Sequence, residues 1–216
     1  MRPFLYPEER HLRAQTPPSF TDYRQYKPYL RLEFTGQCVY CRMPDGLAGT
    51  DSFGVDHYRP TSRFPDLGSA YGNLFYSCNR CNRRKGDFWP TDSQWSEGAV
   101  LPNPCDHRMR EHLRYRGARA QATLRAGEIA VDLLMLNDEE DVRYREFVLR
   151  SIERCLSEAA VKSELLLALT PRLLESQGIE NEQMYIEISR LKADLSRIAE
   201  DFERLTGARL PGSVPP

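Results

Sequence analysis

The spacing of apolar residues changes along this chain, and each change predicts a different kind of structure. Up to residue 34 the apolar positions are scattered among prolines and tyrosines; only in YKPYLRLEF do Tyr29, Leu30 and Phe34 predict a short helix. Residues 35–90 hold most of the turn chemistry. In GAVLPNP and in HLRYRGARAQATLRAGEIAVDLLML, between 99 and 135, short alternating runs broken at Gly117 and Gly127 predict a hairpin or a small three-stranded sheet. From 138 onward the period becomes helical, with helices expected near 139–160, 162–177 and 180–206. Within the last of these, Met184, Ile188, Leu191, Leu195, Ile198, Phe202 and Leu205 alternate steps of four and three, a heptad seam. It either packs on the chain's own preceding helices, including Leu165, Leu166, Leu167 and Leu169, or receives a second copy or another protein.

This pattern divides the chain into a lead-in segment (1–34), a turn-rich core (35–90), a β-rich extension (91–135), a helical region (136–207) and a tail (208–216). The tail is rich in Pro and Gly and is expected to be disordered. A length of 216 residues, with 40% hydrophobic and 28% charged, suits one globular domain or a compact site domain with an appendage. No apolar run reaches the roughly 18 residues of a membrane span, and Pro7, Glu8 and Glu9 interrupt the start where a secretory leader needs an apolar core. A cytoplasmic protein without a membrane partner is therefore expected. The formal charge of −1 conceals an asymmetry: residues 1–120 carry 18 Lys+Arg against 13 Asp+Glu, and residues 121–216 carry 12 against 18. A basic front half suits a polyanionic substrate.

Six cysteines in a reducing compartment serve better as ligands or buried thiols than as disulfides, and four of them form the pairs Cys38-Val-Tyr-Cys41 and Cys78-Asn-Arg-Cys81. Each two-residue gap lets both sulfurs of a pair turn toward one ion, and four thiolates close a tetrahedral structural zinc site. The 36 residues between the pairs exceed the spacing of a simple zinc ribbon, so something is built inside that loop. Cys105, His107 and His112 match no ligand spacing, and Cys155 is expected in the core.

Inside the loop lies Gly54-Val55-Asp56-His57-Tyr58-Arg59-Pro60, and Tyr71-Gly72-Asn73-Leu74-Phe75-Tyr76 leads into the second pair. With the two Cys pairs, these stretches resemble the HNH endonuclease family over residues 38–87. A looser similarity, through YLRLEFTGQCVYC, PNPCDHRMREHL and the Leu-Asn of LLMLN, extends to small stand-alone HNH proteins found beside phage-defence genes. The resemblance implies an α+β fold: a zinc-stapled ββα-metal core with a small β-hairpin region and a C-terminal helical appendage. It further implies that Asp56 and Asn82 hold a catalytic Mg²⁺ or Mn²⁺, that His57 takes a proton from the attacking water, and that Asn73 holds the His57 backbone. The cations Arg59, Arg80, Arg83, Arg84 and Lys85 are expected to contact phosphates without reading sequence.

Taken singly, each residue has a plainer reading: Asp56 a turn acid, His57 a surface histidine, Asn73 a turn former, Asn82 a helix amide, and the cations a solvated face. Together they predict a metal-dependent HNH nuclease acting on nucleic acid, with double-stranded DNA as the expected substrate. A defence role is also expected, with a partner protein such as an ATPase, or a second copy, on the C-terminal helices. The alternatives are a zinc-dependent nucleic-acid binding module that has lost cleavage, and an interaction subunit.

Overall fold

The structure is a computed structural model that describes residues 3–175 and 177–212. The chain divides into two units after Phe147. In the first unit, a 3-10 turn at Tyr23–Tyr26 leads into helix α1 (Lys27–Glu33), which has Pro28 in its first turn where a missing N–H costs nothing. Leu30 is fully buried and Phe34 nearly so, and Phe34 meets Phe75 edge to face at 5.5 Å. This is the short helix that the apolar spacing predicts.

The first Cys pair follows, then a short helix α2 (Asp45–Ala48) whose Asp45 is buried. Its carboxylate accepts two bonds from Arg31, at 2.6 and 3.1 Å, and one from the Tyr76 hydroxyl at 2.8 Å, so the buried charge is fully partnered. Strand β1 (Phe53–His57) then pairs antiparallel with β2 (Leu74–Cys78), with Asp56 opposite Phe75 and His57 opposite Leu74. All five residues of β2 are buried, which is why LFYSC reads as an unbroken run and not as an alternation. Helix α3 (Asn79–Lys85) starts immediately, with Cys78 as its N-cap, and stops at Gly86, which takes a positive φ of 50°.

Helix α4 (Asp92–Ser96) is fixed by a capping box between Thr91 and Gln94. Helix α5 (Met109–His112) precedes a hairpin of β3 (Leu113–Arg116) and β4 (Arg119–Ala122), which turns at Gly117. The third strand allowed by the sequence pattern does not form. Residues 125–133 are instead helix α6 (Arg125–Leu133), and Gly127 is where it meets the end of α5 and the hairpin, since a Cβ there would stand 1.8 Å from the His112 carbonyl oxygen and 3.5 Å from Ala122 Cα. The Asn137 amide takes the edge of β4 by bonding both the N–H and the carbonyl of Ala120 at 2.8 Å.

The N-terminal segment joins the same unit through Glu33, whose side chain is completely buried. It accepts bonds from His11, from the N–H groups of Ala14 and Gln15, and from the Tyr71 hydroxyl. Burial pushes this carboxyl up, but these donors outweigh it and hold it below its usual range.

Helix α7 (Glu139–Glu175) runs on past Phe147, and α8 (Ile179–Thr206) follows. In the unit from 148 onward, Met184, Ile188, Leu191, Ile198 and Phe202 of the seam are buried, as are Val148, Ile152 and Ala159 of α7. Lys162 and Asp194 tie the two helices at 2.6 Å. The seam is thus largely buried. The helix break expected at 161 is absent, because nothing between 148 and 170 is Gly or Pro; Pro171 lies in the helix's last turns. α8 ends at Gly207 in the left-handed conformation, φ 69°, the favoured residue for that cap. Of the tail expected from 208, Leu210 is buried, and residues 213–216 lie outside the described residues. Among the described residues no helix is long and apolar enough to cross a membrane.

Candidate active site and metal centre

Two Cys-x-x-Cys turns meet because β2 delivers Cys78 beside the knuckle that carries Cys38 and Cys41. The backbone N–H of Val39 donates to the Tyr76 carbonyl at 2.9 Å. The four sulfurs are buried and lie within 4.8 Å of one another, with Cys41 and Cys78 at 3.8 Å. A tetrahedral zinc with bonds of about 2.3 Å sets its sulfurs about 3.8 Å apart, so this donor set fits the ion. Without a cation the four thiols cannot ionise together. Contacts from the other three sulfurs push the Cys78 thiol far down; Cys38 and Cys78 push Cys41 up against an opposing pull from Cys81, and Cys38, Cys41 and Cys78 push Cys81 up. A divalent ion removes that conflict.

The far end of β1 presents His57. Its Nε2 lies 2.8 Å from the Gly68 carbonyl oxygen, and its ring meets Tyr23 edge to face at 4.5 Å. A carbonyl only accepts, so Nε2 carries the hydrogen and the neutral ring keeps its lone pair on Nδ1. Asn73 secures the chain just beyond: its Oδ1 accepts from the Arg59 N–H at 2.8 Å, its Nδ2 donates to the Arg59 carbonyl at 3.0 Å, and its own carbonyl accepts from Tyr58 N–H at 2.9 Å.

Asp56 does not face solvent. It is 2% exposed; Oδ2 accepts from the Tyr40 hydroxyl at 2.5 Å and Oδ1 from Lys85 Nζ at 3.2 Å. Burial pushes its carboxyl up, while Lys85 and Tyr40 pull it down. Lys85 Nζ also donates to the His57 carbonyl at 2.6 Å. Asn82 sits one turn earlier on α3 and donates to the Val55 carbonyl at 3.3 Å. As arranged, Asp56 and Asn82 do not fit a divalent cation: an ammonium already occupies one carboxylate oxygen and a hydroxyl the other.

The expected phosphate-binding cations separate into two groups. Lys85, 3% exposed, is a buried partner of Asp56 and not a surface contact, which corrects the expectation drawn from its basic neighbours. Arg84 donates to Asp141 at 2.5 Å and to the Leu134 and Met135 carbonyls, and Arg80 pairs with the other oxygen of Asp141. These two secure the start of α7. Arg83 and Arg59 are exposed. Arg83 also borders an open cavity of about 610 Å³ lined by Leu47, Asn79, Arg80 and Tyr144 among others. Tyr40 and Gly68 escaped the sequence reading; Tyr40 stands inside a Cys-x-x-Cys turn, where an aromatic hydroxyl aimed at the next strand gives no periodic signal.

The strand pair that ends at His57 runs into a helix opened by the second Cys pair. Residues 38–88 match the HNH endonuclease family, and the chain carries an HNH endonuclease domain there. Over 201 residues the chain is 25% identical to the Septu protein PtuB of Bacillus thuringiensis, covering 83% of this chain and 72% of that protein. It is likewise 25% identical to the Septu protein PtuB of Bacillus mycoides (strain KBAB4) over 154 residues, 59% of this chain and 52% of that one. No solved structure matches.

Proposed function

We propose that this protein is a nuclease that hydrolyses phosphodiester bonds of nucleic acid, DNA in the first place, with a structural zinc on Cys38, Cys41, Cys78 and Cys81. The observation that carries this reading is the orientation of His57. With Nε2 donating to Gly68, Nδ1 is left to accept a proton from water as its oxygen bonds to phosphorus and the P–O bond to the 3′ oxygen breaks, that leaving oxygen taking a proton from solvent. Asn73 is a positioning residue that holds the backbone at Arg59, and Arg59 and Arg83 are the exposed cations suited to the phosphates on either side of the cut. Zinc at the cysteines cross-links two distant turns and supplies no chemistry to the phosphate.

A divalent Mg²⁺ or Mn²⁺ on Asp56 and Asn82 belongs to the proposal only if Lys85 withdraws from Asp56. The engaged state of Asp56 favours a second reading, a zinc-stapled module that binds nucleic acid without cutting it. The similarity to Septu protein PtuB, with the looser resemblance to HNH proteins beside phage-defence genes, supports a defence role. A protein partner such as an ATPase, or a second copy, on the C-terminal helices belongs to the same reading. The test is incubation of supercoiled plasmid and of single-stranded RNA with the purified chain in Mg²⁺, Mn²⁺ or chelator. Relaxation or loss of plasmid that His57→Ala abolishes supports a nuclease. Retention of intact nucleic acid by a wild type that cuts nothing, even with its partner present, supports the binding module.

A further inference from the structure

The chain has two tryptophans, and they meet on one surface next to the segment that follows His57. Trp95 on α4 is 53% exposed and leans on Trp89 with ring centres 5.7 Å apart. Trp89 meets Phe64 and Tyr58 edge to face at 5.0 and 5.8 Å. The Arg59 guanidinium lies 5.5 Å from the Trp89 ring centre and 5.7 Å from that of Phe64. Exposed Arg63 donates to the Trp89 carbonyl at 3.4 Å. These groups are fixed from below: Asn73 clamps the Arg59 backbone, the Tyr58 hydroxyl donates to the Leu101 carbonyl at 2.7 Å, and the capping box secures α4. Folding alone gives no reason to leave an indole half exposed beside two arginines.

We propose that this surface is a stacking platform for the unpaired bases of a nucleic-acid strand, which runs on from it to His57; the proposal rests on the nuclease reading above. A base inside a duplex has both faces covered, so Trp95 can stack only on a base that is single-stranded, flipped or at an end. Arg59 follows His57 by two residues, no more than about 7 Å of chain, so a phosphate held by Arg59 is near the one to be attacked. Stacking, not charge, is the main attraction, because Asp92 and Glu97 flank Trp95. With Arg59 and Arg63 engaged on the platform and Arg83 at the cut, log K for a single strand should fall with log salt at a slope of only about −2.1.

Both tryptophans report on this one surface, so intrinsic fluorescence of the full-length chain reads it directly. His57→Ala protein is titrated with oligothymidylate and with a blunt duplex of the same length. Oligothymidylate is expected to quench the emission, and Trp95→Ala added to that protein to weaken its binding roughly 5- to 150-fold, with Trp95→Phe keeping most of the affinity and duplex binding unmoved. Zinc content and melting are measured alongside. If Trp95→Ala disturbs them, Arg59→Ala, whose guanidinium is exposed, must weaken the single strand in its place. Unchanged oligothymidylate affinity in the variant, or an equal loss for duplex, overturns the platform. If the wild type cuts plasmid and the variant binds strand normally, only the platform fails. If strand binding depends on Trp95 but no form cuts any nucleic acid, only the nuclease reading fails.

Discussion

The two ends of helix α3 are held by opposite means. At its N-terminus, Cys78 and Cys81 join a cluster of four soft donors that asks for a cation from outside the chain. At its C-terminus, Lys85 brings a cation that the chain itself provides, and it lies buried between the Asp56 carboxylate and the His57 carbonyl. Lys85 follows Cys81 by only four residues, so a site that a chelator can open stands beside one that it cannot. The difference teaches that the strand carrying His57 is fixed twice and independently. One fixture can therefore be broken while the other is watched.

The largest effect is expected at the first. Cys81→Ser removes one of four thiolates from a site whose apparent binding energy is about 10–16 kcal/mol for structural zinc, and the variant should lose both zinc and a cooperative melt. Elemental analysis and circular dichroism check this; a folded, zinc-free wild type would mean that the cluster is only a packed core. His57→Ala should leave both fixtures intact and lower cleavage by roughly 10² to 10⁴, with melting near wild type. A plasmid assay with a parallel thermal scan separates the two quantities, and cleavage at the wild-type rate would dismiss His57 as the base.

Lys85→Met sharpens the comparison most directly. It leaves the Asp56 carboxylate buried with Tyr40 as its remaining partner, and loss of one member of a buried pair costs about 3–5 kcal/mol. Denaturant titration should show that loss while zinc content stays at one ion per chain, and adding Asp56→Asn should recover part of it. Lost zinc in this variant would show the two ends to be coupled after all. The smallest effect belongs to Arg83→Glu, which should weaken binding to all sequences alike and reduce the salt slope by about one. Altered sequence preference would instead make Arg83 a reader of bases.

The two ends also differ in how far the sequence revealed them. Four cysteines at two-residue gaps announce a metal site because tetrahedral geometry fixes the spacing. Lys85 closes a run of arginines and looks like one more solvated cation. Its burial depends on which way the last turn of α3 faces β1, and charge order does not record that. Elsewhere, the short helix over Tyr29 to Phe34 and the seam from Met184 to Phe202 follow from apolar spacing, whereas the strand ending at His57 was legible only through the resemblance to the HNH family. Helix α6 was hidden because Gly127, which reads as a strand breaker, serves there as the point of closest approach to His112. The division of the cations was hidden too, since Asp141, which holds both Arg80 and Arg84, lies more than fifty residues away in sequence.

Segments without helix or strand are where proteases usually cut and where amide hydrogens exchange fastest. The stretch from His11 to Gln15 has neither kind of structure, yet Glu33 holds its Ala14 and Gln15 amides, and Arg13 lies about 5 Å from the rings of Phe34, Tyr71 and Phe75. It should resist limited digestion and exchange those two amide hydrogens as slowly as a packed helix does. A cut there would strip the buried Glu33 carboxylate of its His11, Ala14 and Gln15 donors and leave it the Tyr71 hydroxyl.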